Sequence, residues 1–310
     1  MPGLTALIPL DGTELSESAF DLLPFAKTLG VTKARLISAW ESAWGEGQAP
    51  AGRPAGESEE LAQKGRALLS AYLEKQAQRV RDLGLEVETI IKVGRAAESV
   101  IQTATEDTDL ILIATHGRTG IERWRLGSVA DRIIRESACP ALVIGPNVTV
   151  QLSPYTIKRV LIPLDGTGLS ELALPLALRI AELTGAELDL TRVVTTPTMA
   201  VDPGMGVYPM DLLTAIEDAA KAYLAEKAAA LGSKYRVTTA MHLGSPGETL
   251  LAHLREKPSE LVVVASHGRA GVARAALGSV ADRLLHGPAP VLVFRPGDGV
   301  KGRLLEGAAG

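Results

Sequence analysis

The sequence has almost no cysteine, no excess of basic residues and no long apolar run, and each shortage removes a class of protein. One cysteine, Cys139, among 310 residues leaves no intramolecular disulfide and no thiolate zinc cluster. Its place beside Pro140, ahead of an apolar segment, predicts packing rather than redox chemistry. The net charge of −4 and pI of about 5.8 lack the basic surface that broad nucleic-acid binding needs. No run of 18 apolar residues offers a membrane span. The start, Met1-Pro2-Gly3-Leu4-Thr5, carries neither a basic region nor a hydrophobic signal core. Together these absences predict a cytoplasmic protein without nucleic-acid or membrane partners. Asparagine occurs once, at Asn147, which fits a thermophile and a high-GC codon bias equally. Familiar catalytic signatures are missing too: no G-x-x-x-x-G-K-[ST], no G-x-G-x-x-G after the first strand, no C-x-x-C and no H-E-x-x-H.

What the chain does contain, it contains twice. Residues 114–131 and 265–282 both read A-[TS]-H-G-R-x-G-x-x-R-x-x-L-G-S-V-A-D, at a constant offset of 151. The likeness extends outward: Leu7-Ile8-Pro9-Leu10-Asp11-Gly12-Thr13 returns as Leu161-Ile162-Pro163-Leu164-Asp165-Gly166-Thr167, and Gly94 and Glu98 match Gly244 and Glu248. A unit of about 150 residues is a domain duplicated, not a solenoid repeat. The Pro-containing stretch between the copies has linker composition. The expected division is a first domain over 1–147, a linker over 148–156, a second domain over 157–297 and a flexible tail over 298–310.

Within a unit, short apolar runs alternate with helical periodicity. Strands are expected at Leu4–Leu10, Ala34–Trp40, Leu85–Ile91, Leu110–Ala114 and Ala141–Ile144. Helices are expected over 14–29, 59–82, 98–105 and from Val129 onward, with mobile Pro/Gly loops over 42–58 and, in the second copy, 195–210. Such alternation demands a parallel sheet with right-handed crossovers, and ligands then bind beyond the C-terminal strand ends where strand order switches. Asp11 ends the first strand and the Gly-rich loop follows the fourth, so neighbouring strands would bring both into one crevice.

The loop chemistry points to an anion. Gly117 and Gly127 let backbone approach a phosphate, and free N–H groups at a helix start attract negative charge. Ser128 and Asp131 form an S-x-x-D helix start, so a plain cap competes with phosphate contact as its role. Asp11, repeated as Asp165, can accept hydrogen bonds from sugar hydroxyls or face a phosphate-bound Mg2+; its bland role is an N-cap. Arg118 and Arg269 can pair with phosphate oxygens. His116 and His267 have no nucleophile or carboxylate beside them in sequence and are read as positioning residues, so no catalytic residue is assigned. Arg123 and Arg125 correspond to Arg274 and Ala276, which makes the first loop more basic and the two sites unequal. His242, His253 and His286 have no counterpart histidines and read as ordinary surface or core residues.

These residues resemble the universal stress protein family in its tandem two-domain form, over about 290 of the 310 residues. The family's ATP-associated motif is G-x2-G-x9-G-[ST]; here it is Ala114-x2-Gly117-x9-Gly127-Ser128 and Ala265-x2-Gly268-x9-Gly278-Ser279, with alanine in place of the first glycine. The resemblance implies two Rossmann-like α/β domains, each an open, doubly wound, five-stranded parallel sheet of order 3-2-1-4-5, packed as an internal pseudo-dimer. It implies that Pro9 and Asp11 lie beside adenine and ribose, that Ala39 sits near the base, and that Ile113 and Ala114 line the adenosine pocket. His116, Gly117, Gly127, Ser128 and Val129 would surround the phosphates. The implied counterparts are Pro163, Asp165, Val193, Val264, Ala265, His267, Gly268, Gly278, Ser279 and Val280.

Three functions stay open on the sequence. The first is an ATP-binding stress or signalling module with one site per domain, Mg2+ held through the phosphates, and an unidentified protein partner or a further homodimer as readout. The second is a slow ATPase or adenylyl-transferring enzyme on the same fold. The third is a scaffold that binds no nucleotide.

Overall fold

The computed structural model describes residues 3–40, 55–105, 107–115, 126–149, 156–195, 210–266 and 277–295. The first half runs β1 (Leu4–Pro9), α1 (Glu14–Glu17), α2 (Leu23–Thr28), β2 (Val31–Trp40), α3 (Ala55–Arg81), β3 (Glu86–Val93), α4 (Ala96–Ala104), β4 (Leu110–Ala114), α5 (Ser128–Glu136) and β5 (Ala141–Ile144). The second repeats it as β6 (Arg159–Pro163), α6 (Gly168–Glu171), α7 (Leu174–Thr184), β7 (Glu187–Val194), α8 (Met210–Leu231), β8 (Val237–Leu243), α9 (Pro246–Glu256), β9 (Leu261–Ala265), α10 (Ser279–Leu284) and β10 (Val291–Phe294).

Each half has the parallel order 3-2-1-4-5, counted from its own outer edge, but the halves do not form separate sheets. One ten-stranded sheet runs β3-β2-β1-β4-β5-β10-β9-β6-β7-β8 among the described residues. The seam is the single antiparallel pair, with Leu142 opposite Leu292 and Val143 opposite Val291. The expectation of two open five-stranded sheets is corrected on this point. The cause lies in the fifth strands: all four residues of β5 and all four of β10 are buried, and an apolar edge strand left unpaired would recruit another. The two-fold relation of the copies makes that pairing antiparallel.

Strand alternation then sorts the apolar residues into two layers. Leu4, Ala6 and Ile8 face α2 and α3, in a cluster that continues through Ile162 and Leu188 to α7 and α8. Leu7, Ile37 and Ile111 face α4 and α5, in a second cluster that continues through Val262 to α9 and α10. Central strands are covered on both sides, so they read as continuous apolar runs.

Two helix boundaries depart from the sequence expectation. The segment 14–29 is not one helix: α1 gives way to a 3-10 stretch, Ser18–Leu22, before α2 begins. Pro24 is the reason, because it has no N–H to donate back to Phe20 and its ring displaces that carbonyl. Pro175 does the same between α6 and α7. The long charged helix starts at Ala55, inside the stretch expected to be loop. Residues 41–54, 196–209 and 296–310, which hold most of the expected loops and the tail, lie outside the described residues. Among the described residues no helix is long and apolar enough to cross a membrane.

If the seam ties both halves into one cooperative unit, Leu142→Ala must destabilise both. We expect a loss of about 2–5 kcal/mol for truncating this fully buried leucine. Calorimetry should show one transition shifted down as a whole, not one half melting ahead of the other.

Candidate functional site

The crevice arises because β1 parts from β4. The two strands pair only at Ala6 with Leu110 and Leu7 with Ile111. Pro9 then offers no donor, while β1 stays paired to β2 up to Pro9 opposite Ile37. β1 and β4 thus separate at the point where strand order switches, which is where open α/β sheets bind ligands. The second half repeats this: β6 pairs with β9 only at Val160 and Leu161, ahead of Pro163.

A cavity of about 460 Å³ fills the first crevice. Its walls bring together Pro9, Asp11, Ala39, Ile113, Ala114, Gly127, Ser128 and Val129 from the expected site. The sequence reading did not find Ser16, Ile37, Ala96, Val100, Leu126 and Ala130, which also line it. Ile37 and Val100 were legible as alternate apolar positions; their facing this cavity needed the sheet's register. His116, Gly117, Arg118, His267, Gly268 and Arg269 lie outside the described residues, as do Arg123, Arg125, Arg274 and Ala276.

At one end stands a braced carboxylate. Gly12, with φ of +84°, turns the chain after Asp11, a conformation that disfavours a side chain. Asp11 Oδ1 accepts from Thr13 N at 3.0 Å and from Thr13 Oγ1 at 2.6 Å. Thr13, not Asp11, caps α1, its Oγ1 accepting from Ser16 N at 3.2 Å. The second half reproduces the device at Asp165, Thr167 and Ser170 with φ of +89° at Gly166 and the Thr167 Oγ1 bond again 2.6 Å. Burial pushes the Asp165 carboxyl up, but the Thr167 hydroxyl, the Thr167 N–H and Ser170 outweigh it and hold the group below its ordinary 3.8.

At the other end stands α5. Its N-cap is Gly127, whose carbonyl accepts from Asp131 N at 2.8 Å, and no side chain caps it. The simple capping role for Ser128 is therefore corrected: the serine is the first helical residue. Ser128, Val129 and Ala130 all line the cavity, and their N–H groups belong to the helix turn that has no internal acceptor. Gly278 likewise precedes α10 without a side-chain cap. In the second half Pro163 ends β6, Val193 lies on β7, Val264 and Ala265 end β9, and Ser279 and Val280 open α10. Among the described lining residues of the first cavity, Asp11 is the one ionisable group. The arrangement offers an apolar slot, one acceptor and an anion-attracting helix end.

Elsewhere the structure confirms Cys139 as buried, its thiol pushed far up by burial with Asp109 nearby. Of the histidines without counterparts, His253 is a buried core residue bonded to buried Asp189, and His242 is bonded to His253. A visible signal was Asp189 standing between Leu188 and Leu190.

The profile of the family described as "Universal stress protein family" matches residues 5–145 and again 156–295. A universal stress protein of Mycobacterium tuberculosis is 28% identical over 218 residues, covering 69% of this chain and 70% of its own length. In fold, the chain is similar to a universal stress protein of Archaeoglobus fulgidus, with a TM-score of 0.68 at 20% identity, covering 96% of this chain and all of that one. A Pseudomonas aeruginosa protein of the same description superposes with a TM-score of 0.62 at 17% identity over the whole of this chain and 99% of its own.

Thr13→Ala and Thr167→Ala should each cost about 1 kcal/mol through the lost cap. In Thr167→Ala the Asp165 carboxyl should also titrate higher, read by carboxyl carbon NMR. A depressed carboxylate stabilises the fold above its ordinary 3.8 and loses that contribution as pH falls through the depressed value, so the variant should denature at higher pH in acid. An unchanged Asp165 titration would count against the brace.

Proposed function

Since the chain belongs to the universal stress protein family, we propose that it binds adenine nucleotide, ATP foremost, at one site per half, and works as a nucleotide-dependent signalling module. The observation that carries this reading is the first cavity, whose volume of about 460 Å³ suits a nucleotide-sized ligand. Its apolar slot of Ile37, Ala39, Val100 and Ile113 suits a flat base. Asp11 accepts hydrogen bonds from ribose hydroxyls. The start of α5 receives phosphate through backbone N–H groups and the helix dipole. By the family resemblance, His116, Gly117 and Arg118 are proposed as further phosphate contacts, with His267, Gly268 and Arg269 as their counterparts.

Among the described residues no group of three or more histidine, cysteine or acidic side chains could hold a metal ion. On this reading Mg2+ is held through the phosphates, and occupancy sets the choice of protein partner, in the cytoplasm. The slow ATPase remains the second reading, and it is separated by the fate of the bound ligand.

Asp11→Ala should weaken the first site by about ten- to a hundredfold, the worth of about 1.5–3 kcal/mol for hydrogen bonds to a charged acceptor, and leave the second site intact. Gly127→Val should do the same by obstructing the phosphate end. Calorimetric titration with Mg-ATP checks both, and circular dichroism confirms the fold. Unchanged binding at both sites would overturn the assignment. Bound nucleotide recovered as ADP or AMP would put the enzyme first.

A further inference from the structure

The second half contains a hydrogen-bonded acid–histidine–histidine chain that the first half lacks. Asp189 on β7 is fully buried, and its Oδ2 accepts from His253 Nε2 on α9 at 3.1 Å. His253 Nδ1 meets His242 Nε2 on β8 at 3.1 Å, with the rings edge to face. Thr191 donates to Asp189 Oδ1 at 3.0 Å and lies 3.4 Å from His253 Nε2. Lys257, at the end of α9, reaches Asp189 at 3.2 Å and Thr238 at 3.1 Å.

The chemistry assigns the protons. An ionised carboxylate only accepts, so His253 Nε2 carries a hydrogen and its Nδ1, when neutral, is the acceptor. His242 Nε2 must then be the donor. Burial raises Asp189, but the bonds from His253 and Lys257 outweigh it and keep the carboxyl below its ordinary value. Glu187 and Asp189 face Lys257 and Arg159, so the cluster is balanced with both histidines neutral; Glu256 is a further carboxylate acting on His242. One added proton fits on the outer nitrogen of His242 without disturbing the chain. A second leaves two N–H groups opposed and must break the His242–His253 bond. The two rings are therefore linked through the one hydrogen bond between them.

By correspondence with the first half, the chain lies on the strands and helix that border the second crevice. His242 is the register partner of Val193, as Lys92 is of Ala39, and Ala39 lines the first cavity. Pro246 and Leu250 of α9 take the places of the cavity-lining Ala96 and Val100. The first half is an internal control. Leu7 pairs with Arg35 where Leu161 pairs with Asp189, and Thr103 and Lys92 stand for His253 and His242. Arg35 is tied to Glu88 at 3.4 Å, and that trio contains no histidine.

We propose that Asp189, His253 and His242 form a proton-operated clamp of α9 against β7 and β8, which makes ligand binding in the second crevice, and not in the first, depend on pH. The ligand arm of this proposal rests on the nucleotide reading above. Burial and the neighbouring His253 hold His242 below its ordinary 6.5, so the folded arrangement resists protonation. The first proton, on His242, leaves the hydrogen-bonded chain closed; the second opposes two N–H groups and opens it, so the clamp loses ground in acid.

The test uses the full chain and Mg-ATP. Asp11→Ala reports the second crevice and Asp165→Ala the first, each titrated between about pH 8 and about pH 5.5; a one-proton linkage changes affinity by up to about tenfold per pH unit. Second-crevice affinity should fall with acid while the first stays level. His242→Gln keeps an N–H donor and can turn its amide oxygen to a protonated His253, so it should level the second crevice as well. Parallel acid dependence in both crevices, or an unchanged slope in His242→Gln, would overturn the clamp. Two readouts need no ligand: imidazole nitrogen NMR, and hydrogen exchange of α9 against α4. Coupled titration of His242 and His253 with loosening of α9 alone supports the clamp even if no nucleotide binds, which would sink only the nucleotide reading. Independent titration with α9 and α4 equally protected would overturn the clamp itself.

Discussion

The candidate site depends on one broken ladder. β1 is held on one side by β2 along its length and on the other by β4 only at Ala6 and Leu7. Pro9 supplies no donor at the point of separation. Were that pairing to continue, Asp11 and the start of α5 would be joined by sheet rather than parted by a cavity. The same proline, at 163, opens the same gap beyond β6. A missing hydrogen bond, repeated by duplication, thus creates the space that Asp11 and Asp165 border.

The sheet can afford those gaps because its centre is closed. β5 and β10 join the halves through buried valines and leucines, and the two apolar layers each run across both halves. The crevices open at strand ends away from that seam. Rigidity at the centre and absent pairing at the switch points are two sides of one topology: a duplicated unit whose most apolar edge finds its own copy.

Much of this was legible in the chain. The bounds of Leu110–Ala114 and Ala141–Ile144 followed from apolar runs flanked by turn residues, and Asp11 with Gly127 followed from repetition. Other features were not. Pro24 split a helix whose spacing looked continuous, because periodicity registers side chains and not missing N–H groups. The single sheet escaped because burial of β5 and β10 fits covering helices as well as a partner strand. Thr13, rather than Asp11 or Ser128, proved to be a cap because the choice turns on φ and ψ. His242 and His253 lie 11 residues apart and meet only once β8 and α9 are packed.

Copies that share a frame have diverged in its charged positions: Arg35 and Asp189 occupy one register place with opposite sign. The frame conserves two crevices, and the central claim is that both take nucleotide. Native mass spectrometry of the full chain with Mg-ATP at neutral pH tests it most directly. The account predicts a fully loaded species carrying two intact ATP. A chain that stays bare at saturating ATP would contradict it.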